Sequence, residues 1–137
     1  MAYLIGVGLA LVVSLFARIV GLDRDRAFYP TVMIVIACLY GLFAVVGGST
    51  EALAHESVGI VGFIGLAVVG FRYNQWWVVV ALAAHGVYDS FHHHVIANPG
   101  VPVWWPQFCM TYDLAAAGIL AWLLRRQRSA DPKTLPG

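Results

Sequence analysis

Four of the five histidines in this chain lie in one segment, AAHGVYDSFHHHVIANPG, which covers residues 83–100. Asp89 stands four residues after His85 and three before His92, and this spacing places the three side chains on one face of a helix. Imidazole and carboxylate groups together suit zinc or iron, and a His and an Asp on one helical face can bind the same ion. The segment therefore predicts a divalent metal site. The predicted metal ligands are His55, Asp89, His92, His93 and Asp113.

Other polar residues near this segment are candidates for proton transfer or nucleophilic attack. A bound metal ion lowers the pKa of a coordinated water, and a neighbouring base then moves the proton. Ser57 and Ser90 are weaker candidates as nucleophiles, because a serine in a transmembrane helix commonly bonds a backbone carbonyl. The predicted catalytic residues are Glu51, His85, Asp89 and Asp113.

The elements that position these residues are predicted to be membrane-spanning helices. The 137-residue chain is 61% hydrophobic and 11% charged, with a mean hydropathy of +0.79, and is therefore more apolar than a soluble domain. We expect an all-α integral membrane protein, a bundle of five transmembrane helices of about 20 residues each. The predicted spans are 2–20, 28–47, 50–71, 76–97 and 104–124; residues 1–124 form one domain and residues 125–137 a polar cytoplasmic tail.

The distribution of basic residues predicts the orientation in the membrane. With five alternating crossings, every Lys and Arg falls on the same side, and by the positive-inside rule that side is the cytoplasm. The amino terminus is then outside and the carboxyl terminus inside, in a multi-pass protein of the inner or plasma membrane. The basic residues are Arg18, Arg24, Arg26, Arg72, Arg125, Arg126, Arg128 and Lys133.

The third helix carries polar residues in its outer half. Glu51 and His55 form an i, i+4 pair, on a face that continues through Gly62 and Gly65. Glycines at these positions allow a neighbouring helix to approach closely. Glu56 points away from this face and is expected to be solvated near the outer surface.

The fifth helix contributes a second acid. Asp113 shares a face with Cys109, which is expected to be an ordinary core residue. Counting about 1.5 Å per residue from the inner end of each helix, Asp113, Asp89, His92 and His55 lie at depths of about 17 to 25 Å. These four side chains are therefore predicted to converge from three helices.

The predicted function is a membrane-embedded metal-dependent enzyme that acts on a small hydrophobic or lipid substrate, with hydrolysis favoured over oxidation. Ionisable groups near the bilayer centre each cost about 2.5 to 3.5 kcal/mol on insertion scales, so they commonly mark functional sites. The sequence places no Lys or Arg in the outer half to neutralise the acids. A zinc or iron ion would do so.

Two other functions remain open. A metal-free isomerase or cyclase would use the same acids on an isoprenoid or polyene, with aromatic residues such as Tyr88 and Phe91 stabilising a carbocation. A metal-ion or proton transporter would use them as a pathway, although the inner halves of the spans contain few polar residues. The chain has no basic patch interleaved with aromatics for nucleic acid. Gly6 and Gly8 of the first helix could support a homodimer.

Known metal motifs are incomplete in this sequence. His55 and Glu56 begin an HExxH box, but position 59 is Gly, so the second histidine is absent. The HxxxH and HxxHH boxes of membrane desaturases differ from the HxxxxxxHHH pattern found here. Asp89-Ser90 is only loosely similar to the ceramidase-like hydrolases, which have more helices than this chain. No motif therefore assigns a family.

Overall fold

The computed structural model describes residues 1–130, and these residues form helices and connecting loops without any strand. The helices are α1 (Ala2–Val20), α2 (Phe28–Val46), α3 (Thr50–Arg72), α4 (Trp76–Asp89), α5 (His92–Val95) and α6 (Trp105–Ala130). The all-α prediction is confirmed for this part of the chain. Four of the helices, α1, α2, α3 and α6, are long and apolar enough to cross a membrane.

The predicted fourth span, 76–97, is divided in two. Helix α4 ends at Asp89, Ser90 and Phe91 interrupt the helix, and α5 has only four residues. At about 1.5 Å per residue, the 14 residues of α4 cover about 21 Å, which is less than the hydrocarbon core of about 30 Å. Non-helical backbone at membrane depth is tolerated where it is enclosed by protein or lines a cavity. Ser90, the first residue of the break, lines a cavity.

The other predicted boundaries agree closely with the helices. Helix α1 has the predicted bounds, and α2 and α3 each end one residue from the predicted position. Helix α6 continues beyond residue 124 to Ala130, so residues 125–130 of the predicted tail are helical. The remainder of that tail, residues 131–137, lies outside the described residues.

Helix α4 lies at the centre of the bundle, where it contacts α6, α3 and α2. Helix α1 packs on α6, and α2 pairs with α3. A Cβ at Gly6 of α1 would overlap the Thr111 side chain and the Phe108 carbonyl of α6, so these two helices are in close contact. Gly6 is thus used for packing within the chain, and a homodimer through this helix stays a prediction.

The glycines of α3 are in a different environment. A Cβ added at Gly62 or Gly65 would meet no other atom within 4 Å, and the same holds for Gly8 of α1. The predicted close approach of a neighbouring helix at this face of α3 therefore does not occur among the described residues.

The basic loops gather at one end of the bundle. Gln75 Nε2 donates a 2.7 Å hydrogen bond to the Arg26 carbonyl, which joins the α3–α4 loop to the α1–α2 loop. The guanidinium of Arg128 lies 5.7 Å from the Trp76 ring centroid, so the end of α6 lies there too. These are the loops that alternating helices would place at one end of the bundle, and the prediction of orientation used the same alternation.

Candidate metal centre and adjoining cavity

Helices α4 and α6 each contribute two potential metal ligands spaced four residues apart. His85 and Asp89 lie on α4, and Cys109 and Asp113 lie on α6; none of the four is more than 2% exposed. One ligand atom from each lies within 4.8 Å of the other three. We call these four residues the quartet. The two helices approach closely at Gly86, where an added Cβ would lie 3.2 Å from Asp113 Cβ. The quartet could hold a metal ion.

Short polar contacts connect the members of the quartet. His85 Nδ1 lies 2.7 Å from Asp113 Oδ2 and 3.5 Å from Asp89 Oδ2. The Cys109 thiol donates a 3.8 Å hydrogen bond to Asp113 Oδ2. Asp89 Oδ2 and Asp113 Oδ1 are buried and have no hydrogen-bond partner within residues 1–130. Because a buried polar atom without a partner is destabilising, each carboxylate has an oxygen available for a cation or a further donor.

The quartet contains more acidic than basic groups. It has one imidazole for two carboxylates, and the arginine-bearing loops lie together at one end of the bundle, where Arg18 pairs with Asp23 at 3.3 Å. Even if His85 were protonated, two ionised carboxylates would leave one buried negative charge uncompensated, which is strongly unfavourable. A divalent cation or a shared proton would remove this charge.

The spacing of the quartet is compatible with metal coordination after small side-chain movements. Zinc binds nitrogen and oxygen ligands at about 2.0 Å, so tetrahedral ligand atoms lie about 3.3 Å apart. The observed separations include 2.7 and 3.5 Å from His85 Nδ1 and reach no more than 4.8 Å within the quartet. Coordination would replace the hydrogen bond between His85 and Asp113 by two bonds to the ion.

A second polar centre lies next to the quartet. His92 Nε2 and Glu56 Oε1 are 2.7 Å apart, and the two side chains are 1% and 3% exposed. The Asn98 amide nitrogen donates to the same Glu56 oxygen over 2.9 Å and to the Tyr40 carbonyl over 3.0 Å. Glu56 was expected to be solvated, and this expectation is wrong, because the face of α3 that carries Glu56 is turned towards the bundle interior.

Tyr40 of α2 connects the two centres. Its hydroxyl donates a 2.6 Å hydrogen bond to Asp89 Oδ1. Its ring stacks on the His92 ring, with centroids 3.9 Å apart and an interplanar angle of 16°. Phe63 packs edge to face with His85, with ring centroids 4.8 Å apart, and Tyr88 packs in the same way with His92, with centroids 5.3 Å apart. The polar groups are therefore held in fixed orientations by aromatic packing.

The structure brings together some of the predicted site residues and separates others. The predicted ligands Asp89 and Asp113 lie in the quartet, His85 joins them, and His92 lies in the adjacent centre. Glu51, His55 and His93 are exposed and contribute to neither centre. His55 is displaced because α3 buries Ala52, Glu56, Ala67 and Gly70, which leaves the face of Glu51 and His55 outward.

The two serines considered as nucleophiles bond backbone carbonyls. Ser57 Oγ donates to the Leu53 carbonyl over 2.7 Å, and Ser90 Oγ donates to the Val87 carbonyl over 2.6 Å. This is the usual role of serine in a transmembrane helix.

Four residues of the two centres were not predicted as site residues. Cys109 could have been predicted as a site residue, because it stands four residues before Asp113 and lies on the same face of the helix. Glu56 and Asn98 were recognisable as polar residues, but their partners lie 36 and 42 positions away along the chain. Tyr40 lies in a continuous apolar run and carries no local signal.

A cavity of about 880 Å³ adjoins both centres. It lies between the break after α4, the segment 96–103 and the first turns of α6. Asp89 lines it from the quartet, and His92 lines it from the second centre, whereas His85, Cys109 and Asp113 do not. The remaining lining is mainly apolar, with Ile96, Val101 and Met110 among its residues. The cavity therefore extends as far as Asp89 and His92, which are themselves 0% and 1% exposed.

Comparison with known proteins gives no match to a family model, a curated protein or a solved structure. The function is therefore inferred from the geometry of these two centres and the cavity.

Proposed function

We propose that this chain is a membrane-embedded, metal-dependent enzyme that acts on a small hydrophobic substrate, and that the quartet binds the metal. The observation that carries this proposal is the convergence of His85, Asp89, Cys109 and Asp113, with ligand atoms within 4.8 Å of one another. This ligand set differs from the predicted one, since His85 and Cys109 take the places of His55, His92 and His93.

The charge balance supports a cation at the quartet. Two buried carboxylates face a single imidazole, and each has an oxygen without a hydrogen-bond partner among the described residues. A divalent ion would satisfy both oxygens and neutralise the carboxylates. The thiol favours zinc or iron over magnesium or calcium, which prefer oxygen ligands alone.

The cavity supports a catalytic rather than a purely structural role for the metal ion. A bound zinc ion would lower the pKa of a coordinated water to about 7, which makes hydroxide available at neutral pH. Asp89 is the quartet residue that lines the cavity, so it is on that side that water and substrate would have to reach the quartet, past a carboxylate that is 0% exposed. Hydrolysis of an apolar substrate is the reaction that this arrangement favours.

We further propose that the chain crosses the membrane five times, with the amino terminus outside. In this arrangement α4, α5 and the segment 96–104 together form the fourth crossing. The basic loops are then cytoplasmic, as the positive-inside rule requires. Both polar centres lie at the middle or outer depth, away from the arginines.

Metal-free proton transfer, as in an isomerase or cyclase of an isoprenoid or polyene, is the second candidate. A specific observation favours it: the 2.7 Å contact between His85 Nδ1 and Asp113 Oδ2 is already a complete hydrogen bond. Tyr40, Phe63 and Tyr88 surround this pair with aromatic rings, which can stabilise a cationic intermediate.

Metal content of the purified protein separates the two candidates. Detergent-purified wild type, Asp113→Asn and Cys109→Ser would be measured by mass spectrometry after reconstitution with zinc or iron(II). We expect about one ion per chain in wild type and a loss of at least tenfold in occupancy at limiting metal for both variants. The matched control is His55→Ala, which changes an exposed histidine and should retain the ion.

Folding of each variant would be checked by gel filtration and thermal unfolding. If wild type binds no ion, or if Asp113→Asn binds as much as wild type, the metal proposal is refuted. Proton chemistry at the His85–Asp113 pair then becomes the preferred function.

A further inference from the structure

We propose that the cavity binds a largely apolar alcohol and that His92 accepts the hydrogen bond from its hydroxyl group. This inference names a ligand of the proposed enzyme, the alcohol that hydrolysis of an apolar ester would release together with the acid. It rests on the proposed function only for the claim that this alcohol is a reaction product. The binding itself is argued from the His92 centre and the lining of the cavity.

The cavity suits an apolar molecule with one polar group. Its volume of about 880 Å³ is within the range of about 300 to 1,000 Å³ that is typical of small-molecule sites. Ile96, Val101 and Met110 provide an apolar lining, and Asp89 and His92 provide buried polar groups. An apolar chain would fill the cavity, while a single hydrogen-bonding group reaches the buried side chains.

His92 is held in one orientation before any ligand binds. Its Nε2 is 2.7 Å from Glu56 Oε1, and its ring stacks on Tyr40 at 3.9 Å. Asn98 in turn fixes Glu56 through a 2.9 Å hydrogen bond. Such pre-organisation reduces the conformational entropy that is lost on binding.

The hydrogen bond to Glu56 indicates which polar group the ligand carries. A carboxylate only accepts hydrogen bonds, so Nε2 of His92 carries the proton in this pair. Nδ1 of a neutral imidazole is then an acceptor, and the contact with Glu56 does not use it. A ligand hydroxyl can donate to Nδ1, whereas a carbonyl oxygen cannot.

The charges around the cavity exclude an anionic head group. Asp89 lines the cavity and Glu56 lies directly behind His92. No Lys or Arg contributes to the lining. A fatty acid or a phospholipid that bonded His92 would place a negative charge beside the Glu56 carboxylate, which an ion at the quartet would not neutralise. This repulsion is unfavourable in a medium of low dielectric constant. A neutral alcohol avoids this repulsion.

Photo-crosslinking with matched lipid probes tests the inference. The probes are hexadecanol, hexadecanoic acid and hexadecane, each with a diazirine at the same carbon, and labelled residues are mapped by peptide mass spectrometry. In wild type we expect the alcohol to label residues 96–110, and the acid to label them several-fold less. His92→Phe keeps an aromatic ring against Tyr40 but removes the acceptor. It should lower alcohol labelling about fivefold to tenfold, as expected for loss of one hydrogen bond.

The matched control is His94→Phe, which makes the same substitution at an exposed residue that does not line the cavity. It should leave alcohol labelling unchanged, and labelling by hexadecane should be the same in all three proteins. If His92→Phe does not fold, Met110→Trp provides a second test, because it fills the cavity without changing His92 and should abolish labelling by the alcohol.

Equal alcohol labelling in wild type and His92→Phe, or labelling confined to lipid-facing surfaces, overturns the inference. Metal content would be measured on the same preparations. A metal-containing protein without His92-dependent labelling refutes this inference and leaves the proposed metal site intact. Labelling that depends on His92 in a protein that binds no metal refutes the metal proposal and leaves the alcohol site intact.

Discussion

Tyr40 and Asp89 are 49 positions apart in the chain, yet the Tyr40 hydroxyl donates a 2.6 Å hydrogen bond to Asp89 Oδ1. Both side chains are at most 2% exposed. The bond occupies one oxygen of the carboxylate and directs the other, Oδ2, towards His85, which lies 3.5 Å away. Tyr40 thereby orients a proposed metal ligand without belonging to the quartet.

Tyr40→Phe is expected to weaken metal binding about tenfold to one hundredfold, the usual effect of removing a group that orients a ligand. The measurement is competition for zinc against a chelator of known affinity. Tyr112→Phe is the control, because Tyr112 is half-buried next to Asp113 in sequence and makes no side-chain hydrogen bond within residues 1–130. Equal weakening in both variants would contradict the assigned role of Tyr40.

Cobalt substitution tests whether the Cys109 thiol is a metal ligand. A thiolate bound to cobalt(II) gives a charge-transfer absorption band that nitrogen and oxygen ligands do not produce. We expect this band in wild type and its loss in Cys109→Ser. Cys38→Ser should retain the band, since Cys38 is the exposed cysteine and lies outside the quartet. A band that survives in Cys109→Ser would remove Cys109 from the ligand set.

Gly100 holds the segment 96–104 against α2, and alanine at this position should destabilise the protein. A Cβ at Gly100 would overlap the Phe43 carbonyl and lie 2.9 Å from the Gly47 nitrogen. The backbone has to move to relieve this overlap, and overpacking of this kind costs about 1 to 3 kcal/mol. The expected result is a lower thermal unfolding temperature in detergent. Asn98 lies two residues away, so alcohol labelling should fall as well.

The control for Gly100→Ala is Gly62→Ala, because a Cβ at Gly62 would contact no other atom within 4 Å. This variant should unfold at the wild-type temperature or slightly above it, because alanine has a higher helix propensity than glycine. Similar unfolding temperatures for Gly100→Ala and wild type would mean that the segment is not packed as described.

Single introduced cysteines test the proposed five crossings. In a Cys38→Ala background, a membrane-impermeant thiol reagent applied to intact cells should label Thr50→Cys and Val103→Cys. It should label Asn74→Cys only after the membrane is opened. These positions are exposed, and Val103 is 91% exposed. If Val103→Cys behaves like Asn74→Cys, the segment that contains α4 does not cross the membrane, and the predicted orientation of α6 is also wrong.

Much of the helical architecture could be predicted because apolar runs and their polar separators are local features. The bounds of α1, for example, follow from the apolar run between Met1 and Gly21. The break at Ser90 and Phe91 could not be predicted in this way. Residues 76–97 are apolar enough to continue as a helix, and Glu56, the partner of His92 directly after the break, lies 36 positions away along the chain.

The quartet was partly predictable for the same reason. His85 with Asp89, and Cys109 with Asp113, are i, i+4 pairs, and this relationship is set by helical geometry alone. The orientation of α3 was not predictable, because His55 and Glu56 are adjacent polar residues about 100° apart on the helix. Either face could have been turned inward, and only packing against α2 and α4 selects Glu56.

The order in which the quartet residues occur along the chain constrains its biosynthesis. Asp89 precedes Asp113 by 24 residues, so it leaves the ribosome about 1 to 5 s earlier at usual translation rates. During this interval Asp89 can pair with Tyr40 and His85, while the α6 residues that complete the quartet are still within the ribosome. The hydrogen bond from Tyr40 therefore provides an early partner that helps a nascent acidic residue to remain in the membrane until α6 has been inserted.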